Sequence, residues 1–593
     1  MYFSTRQSTL INSQLSKDLN YEVSARLLQR NTQDPKVSYH LDFLPLNESK
    51  EKPLLFWLVR KIEVIRGKVP IRMECAPAFN YARSSHTLSL LPDYSADPTI
   101  NYVSGTLPQR AHFSSSEAKL NLDLRVVPDI MGDFATTPDV VLKSFDLRQQ
   151  GHLGLSVCAD MALEEGQAVW FILRVPPGDD EISRHSVPTV ERAKTLGVSL
   201  EALVLGDSQL RAKDDPILTR LSNIAIAANS FHEQSTNEFW NNWIRKSTYQ
   251  GLWREAVHRS ALALKLLIFE PTGAVVASPT FSLPEMIGGT RNWDYRASWI
   301  RDSSFTLYAL IRLGFTEEAD GGKDLEEIEL PHFDGHKGSK PVRIGNGAAD
   351  HVQLDIYGEL LDCIYLSQKF GKPLSYDIWV SVRELTDYVV EHYNDTDLSI
   401  WEVRDTKRNF TVMMWVAIDR AIRLADKRSF PCPNRFEWYK ARDQIYEDVI
   451  KYAWNKEEKF FAQSYEETDI LDSAVLIMPL VFFSSATDNR YDVNKASDGV
   501  GGEEGTFCLC TLWAVEALTR AGKYDATLLN KARRMFEVWH DFLQYTNHLG
   551  LCTEEIGLAG EGLGNAVQGF THVTLISAAF NLSRTLERRD INI

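Results

Sequence analysis

GGTRNWDYRASWIRDSSFTLYALIRLGF, residues 288–315, is where the chain changes character. Its first fifteen residues, GGTRNWDYRASWIRD (288–302), hold three Arg, two Asp, two Trp and a Tyr. The rest carries apolar residues at helical spacing, which predicts a helix over 299–313. A polar and aromatic cluster therefore stands at the head of an apolar helix. Upstream, EPTGAVVASPTFSLPE (270–285) breaks periodicity with Pro and Gly and reads as a loop or short hairpin. ILTRLSNIAIAANSF (217–231) and TYQGLWREAVHRSALALKLLIF (248–269) have helical spacing. Earlier still, LLFWLVRKIEVIRGKVPIRMECAPAF (54–79), VVLKSFDLRQ (140–149) and QAVWFILRVPPGDD (167–180) are β-rich runs with turn signals, the first around Gly67–Lys68. Downstream, helices are expected over 352–368, 376–392, 411–425, 436–453, 506–521, 528–545 and 567–588. The fold class is thus multidomain, β followed by all-α. An antiparallel β-sandwich should occupy 1–215, linker helices and a loop 216–284, and a helical toroid or bundle 285–593.

Length and charge narrow the function. A chain of 593 residues holds more than one core. With 64 basic against 80 acidic residues, the net charge of −16 and the lack of any Lys/Arg-rich run argue against nucleic acid as partner. No run of eighteen apolar residues exists, so no membrane partner is expected. MYFSTRQSTLINSQLSKDLN, the first twenty residues, has no apolar core of a secretory signal, which makes a cytoplasmic location the expectation. The seven Cys match no zinc spacing and are expected to be reduced, mostly buried thiols. P-loop, dinucleotide, H-E-x-x-H and G-x-S-x-G patterns are absent. No metal or cofactor is expected, and the oligomeric state is left open.

Four segments concentrate the remaining chemistry. In 288–302, Arg and Asp beside rings can grip sugar hydroxyls while the rings stack; a salt-bridged helix start explains the same residues equally well. In NGAADHVQLDIYGELLDCIY (346–365), Asp350 reads as a helix cap, and Gln353 and Asp355 can face a neighbouring cavity. In DLSIWEVRDTKRNF (397–410), Glu402 follows Trp401; packing against that indole would raise its pKa, as a general acid requires, whereas pairing with Arg404 or Arg408 would make it an ordinary surface group. In LCTEEIGLAGEGLGNAVQGFTH (551–572), a Gly-rich loop carries Glu554, Glu555 and Glu561, which reads either as the seat of a general base or as a solvated acidic loop.

Taken in order, these segments resemble glycoside hydrolase family fifteen, which includes glucoamylases, trehalases and related α-glucosidases. GGTRNWDYRASWIRD is similar to the family's GG-x-RNWDYR-x-x-W-x-RD motif, SIWEVR to the segment bearing its acid, TEE to that bearing its base, and NAVQGFTH to its closing segment. HLDFLPL and GKVPIRMECAPAFNYAR resemble a trehalase-like N-terminal sandwich. The resemblance implies a β-sandwich followed by a six-hairpin α/α barrel, and an inverting hydrolase of α-glucosides or α-glucans. It implies Glu402 as general acid and Glu554 as general base. Arg301 and Asp302 would bind hydroxyls of the non-reducing glucose, Trp299 and Trp401 would line that subsite, and Trp293 and Asp294 would join them as substrate-binding residues. Against the family's pattern the chain is short at its start, after GFTEEAD (314–320), within SSATDNRYDVNK (484–495), and between Thr411 and Val412. A catalytically impaired, carbohydrate-binding relative is therefore the alternative.

Overall fold

The structure is a computed structural model, and it describes residues 36–43, 57–93, 109–130, 136–176, 239–269, 273–315, 327–370, 373–402, 412–485, 505–537, 546–547 and 549–590. The chain divides into two compact units, Met1–Asn241 and Asn242–Ile593.

The first unit is mainly β among the described residues, with a short 3-10 helix at Arg148–Gln150 and helix only at residues 239–241. Nine strands form two antiparallel sheets: β1 (Lys36–Phe43), β2 (Trp57–Arg66), β3 (Lys68–Cys75), β4 (Thr87–Pro92), β5 (Gln109–Ser115), β6 (Leu120–Ile130), β7 (Lys143–Asp146), β8 (Leu155–Glu164) and β9 (Gln167–Arg174). One sheet has the order β1-β2-β9-β6-β5-β4, the other β3-β8-β7. Ile62, Phe113, Leu124 and Phe171 of the first sheet share an apolar core with Val157, Met161 and Leu163 of the second. The expected turn at Gly67 is present, with φ +81°, a conformation that suits glycine. It does not close a hairpin: β2 pairs with β1 and β9, and β3 with β8. The chain changes sheet there, and again at Gly166, whose N–H donates to the Val64 carbonyl. β9, QAVWFILR, is buried at all eight positions, which is why it reads as a continuous apolar run and not as an alternation.

The second unit is mainly helical: α1 (Arg254–Leu266), α2 (Ile300–Leu313), α3 (Ile356–Phe370), α4 (Tyr376–His392), α5 (Val412–Arg428), α6 (Arg435–Asp448), α7 (Ile477–Leu480), α8 (Cys508–Ala521), α9 (Ala526–Glu537) and α10 (Gly569–Asp590). The expected helix over 376–392 matches α4, which Ser375 caps by accepting the Ile378 N–H. The helix expected over 436–453 ends at Asp448 in a five-residue π turn, and 538–545 lie outside the described residues. The loop expected over 270–285 includes a two-residue ladder between Ile268–Phe269 and Ala274–Val275.

α2 packs on α3, α3 on α5, α7 on α8, α8 on α10, and α10 on α2. Arg420 of α5 reaches Asp362 of α3 and the Val481 carbonyl just past α7. α5 is buried at every position from Val412 to Ile422, with its two charged residues there, Asp419 and Arg420, paired to each other, as a helix enclosed by neighbours requires. α1 packs on α10, α4 and α6 on α5, and α9 on α8. Residues 316–326, 403–411 and 486–504, where the sequence is short against its family's pattern, lie outside the described residues, as do Arg404 and Arg408. The three-stranded sheet β10 (Thr506–Phe507), β11 (Thr553–Ile556) and β12 (Gly562–Ala566) completes the part of the unit that matters for the site.

Candidate active site

One cavity in the second unit is lined by residues from segments that each run into a helix. Trp293, Trp299, Arg301 and Asp302 lead into α2, Asn346 precedes α3, and Trp401 and Glu402 precede α5. Gln463 and Asp472 precede α7, Phe507 leads into α8, and Glu554, Gln568 and Phe570 lead into α10. The cavity spans about 1080 Å³ with the open solvent at its mouth. Seven of the eight residues singled out for a site in the sequence therefore line one cavity, although Glu402 and Glu554 are far apart in the chain.

Glu402 sits in a tight turn in which its own N–H donates to the Ser399 carbonyl, and its φ of +56° is left-handed. A non-glycine residue held there carries backbone strain, which proteins retain at functional positions. Its side chain remains 25 % exposed, so it faces the opening. The Trp299 indole N–H donates to Oε1 at 2.7 Å, the Gln353 amide at 3.3 Å, and the Arg301 guanidinium lies 3.6 Å from the same oxygen. All three contacts converge on Oε1, and among the described residues none reaches Oε2. The indole bonded to Glu402 is that of Trp299, not the adjacent Trp401 expected from the sequence. Trp401 turns its own N–H to Asp472, 2.8 Å from both oxygens.

Glu554 is placed on a strand, not on the loop that the glycines suggested. β11 and β12 form a hairpin whose register slips between Thr553 and Glu555, leaving an extra residue on β12 at Gly564–Asn565. Gly564 has φ +69°, and a Cβ there would lie 2.6 Å from Glu554 Oε2, so glycine is what lets the carboxyl fit. Glu554 is 2 % exposed. The Gln568 amide donates to Oε1 at 3.2 Å, the Asn565 backbone N–H to Oε2 at 3.1 Å, and the Tyr295 hydroxyl also donates to the carboxylate. Burial pushes its pKa up, to about 8; the nearby Glu285 pushes the same way, and the three donors pull against both. Glu555 is buried elsewhere and accepts the Gly505 N–H at 2.6 Å. Glu561 stays exposed and accepts from Ala559 N–H.

Arg301 and Asp302 occupy the first turn of α2, and both are buried. Arg301 donates to Gln353 Oε1 at 2.8 Å and to Asp355 Oδ2 at 3.2 Å, and its Nε has no hydrogen-bond partner. Gln353 and Asp355 thus hold the guanidinium from behind and do not reach the cavity themselves. Asp350 ends a short 3-10 turn that Asn346, not Asp350, caps, and α3 begins later, at Ile356. The Asp302 carboxyl is raised to about 6, first by burial and then by Glu402, with Arg301 opposing.

Asp294, expected among the substrate-binding residues, does not line the cavity. It lies behind the cavity wall, gripping Arg296 through two bonds of 2.8 and 2.7 Å and accepting the Gly345 N–H at 3.0 Å. Its carbonyl also takes the amide of Asn346. Asp294→Ala should therefore lower stability by about 2–4 kcal/mol, since it strips partners from a buried network. Activity per folded molecule should change less than about threefold. Thermal unfolding and titrated-site kinetics check this; a large loss of kcat/KM without a fall in Tm would return Asp294 to the substrate.

Several cavity residues escaped the sequence analysis. Tyr295 and Gln568 stood inside quoted motifs without being weighed. Glu285 accepts the Trp293 indole N–H at 2.8 Å and pairs with Arg291, both within eight positions of it, yet it stood at the end of a stretch read only as a loop. Asp472 and Gln463 gave no signal, because the bond from Trp401 to Asp472 crosses 71 positions.

Residues 251–324 and 320–489 match the profile of the glycosyl hydrolases family 15. A protein named trehalase from Thermoplasma acidophilum is 33% identical over 401 residues, 60% of this chain and 67% of that one. Another trehalase, from Mycolicibacterium smegmatis, is 33% identical over 463 residues, 68% of each chain. Among solved structures, the glucoamylase from Saccharomycopsis fibuligera aligns with a TM-score of 0.39 at 16% identity, over 56% of this chain and 95% of that one. One third identical to these relatives over the aligned stretches, which span two thirds of their length, the chain belongs to glycosyl hydrolases family 15 and is a glycoside hydrolase of the glucoside-cleaving type.

Proposed function

We propose that the second unit is a six-hairpin α/α barrel that hydrolyses α-glucosidic bonds at a non-reducing glucose with inversion, and that trehalose is its substrate. The observation that carries this is the placing of Glu402 and Glu554 in one cavity with opposite surroundings. Glu402 is a quarter exposed and held at Oε1, so Oε2 is free to carry a proton to the leaving oxygen. Glu554 is buried and ringed by donors, which suits a base that takes a proton from water inside a dry pocket. An inverting pair stands ~6.5–9.5 Å apart to admit that water. Arg301 and Asp302 bind hydroxyls of the glucose from the floor, and Trp299, Trp401 and Trp293 offer it ring faces. The relatives' activity supports trehalose over an α-glucan end, and the seven free thiols support a reducing, cytoplasmic compartment.

The full chain, offered trehalose, maltose, isomaltose and α-glucosyl fluoride, should release glucose fastest from trehalose. One of the two glucose units should appear first as the β anomer, read by polarimetry or NMR within the mutarotation time. Release of α-glucose alone would overturn inversion. No release from any of the four would favour the impaired, sugar-binding alternative, which rests on the short segments.

A further inference from the structure

Gln568 stands at the head of α10, buried at 5 % exposure and lining the cavity. Its amide nitrogen donates to Glu554 Oε1 at 3.2 Å, which fixes which end of the amide faces the base. Its backbone is fixed too: the N–H donates to the Cys552 carbonyl and the carbonyl accepts from His572. The amide oxygen, by contrast, is buried and has no hydrogen-bond partner. A buried acceptor left empty needs an explanation, and an active-site water is one of the few available.

The chemistry supplies the need. In a single-step displacement the attacking water offers an oxygen lone pair to C1 and carries two protons. One goes to Glu554. The other stays on the new hydroxyl, and only a second acceptor can stop the water from rotating its lone pair away. Around Glu554, the Asn565 N–H, the Tyr295 hydroxyl and the Gln568 Nε2 all act as donors to the carboxylate. Gln568 alone of these three presents, on the same planar group, a carbonyl oxygen with nothing to accept.

We propose that Gln568 is the water-positioning residue of this site, with Nε2 holding the Glu554 carboxylate and Oε1 accepting the second hydrogen of the attacking water. This rests on the reading of Glu554 as general base. In the step itself, a bond forms between the water oxygen and C1 while the bond from C1 to the leaving oxygen breaks. One water proton passes to Glu554, the Glu402 proton passes to the leaving oxygen, and the hydrogen facing Gln568 remains on the product.

Gln568→Met keeps length and apolar bulk but removes both amide functions; Gln568→Leu serves if the Met variant does not fold. Gln568→Glu keeps an acceptor oxygen and, when protonated, a donor. Each is assayed across pH on trehalose and on α-glucosyl fluoride, with thermal unfolding as the control for folding. The kcat at the top of each pH profile should fall roughly 10²-fold for Met, the cost of a misplaced reactant. KM should stay within about threefold, and the fall should be the same on the fluoride, which needs water but no acid. Gln568→Glu should keep its plateau kcat within about tenfold of the unmutated chain. If the Met variant regains full kcat at the top of a shifted profile, Gln568 serves only as a donor to Glu554, and the proposal fails. It fails equally if KM rises while kcat holds, or if the Glu variant is as slow as Met. An unmutated chain that releases no glucose would instead overturn the hydrolase reading beneath it.

Discussion

Glu402→Gln should lower kcat on trehalose by about 10²–10⁴-fold while leaving substrate affinity within a few-fold of the unmutated chain. The geometry explains why binding survives. Trp299, Gln353 and Arg301 all address Oε1. A glutamine carbonyl accepts from the same three donors, which places its NH2 group where Oε2 stood. Shape and anchoring are kept, and what disappears is a proton acidic enough to transfer. A glucosyl oxygen departs as a poor alkoxide unless it is protonated as the bond breaks, so the barrier rises at the leaving-group step alone. Fluoride needs little such help. α-Glucosyl fluoride should therefore be hydrolysed by Glu402→Gln at a rate much closer to that of the unmutated chain, whereas trehalose should not. Full activity on trehalose, or no recovery on the fluoride, would show that another group delivers the proton.

What the sequence made legible follows from the range over which each interaction acts. α4 could be bounded to the residue because its signals are local: apolar periodicity and the Ser375 cap within one turn. The cluster at 288–302 announced a site because its charges and rings crowd into fifteen residues. The partners within it did not follow from proximity in the chain. Asp294 sits one residue from Trp293, yet it faces the protein interior and Arg296, while Trp293 faces the cavity. Trp401 is adjacent to Glu402 but bonds Asp472, and the indole at Glu402 comes from residue 299. The strand carrying Glu554 was hidden by its shortness: four residues give no period, and the glycines that signalled a loop are what allow the bulge at Gly564. Burial at a site is a tertiary property, and so is the pKa it sets.

That property gives Glu554→Gln two opposite effects. The Glu554 carboxyl is held near 8, mainly by burial, against about 4.3 for an unfolded glutamate. A carboxyl whose pKa is raised on folding favours the folded state in its neutral form. Its stabilising contribution is complete below the unfolded value and is lost as pH rises through the folded one. Glutamine is neutral throughout. The Glu554→Gln chain should then match the unmutated chain in Tm only near and below about pH 4, gain on it as pH rises toward about 8, where the unfolded glutamate is ionised and the folded one is not, and hold a constant lead above that. Catalysis runs the other way. The base must be ionised in the free enzyme, so kcat/KM of the unmutated chain should climb with pH along a limb far above that of an ordinary glutamate. Glu554→Gln should remove that limb and, at the top of the profile, about 10²–10⁴-fold of the rate. α-Glucosyl fluoride should not recover it, because water still has no group to take its proton. Glu555→Gln should cost less than about tenfold, a much smaller share of general-base help, because Glu555 bonds the Gly505 N–H and does not reach the cavity. If Glu555→Gln were the slower of the two, or if the fluoride rescued Glu554→Gln as well as it rescues Glu402→Gln, the base would have to be sought elsewhere along the wall.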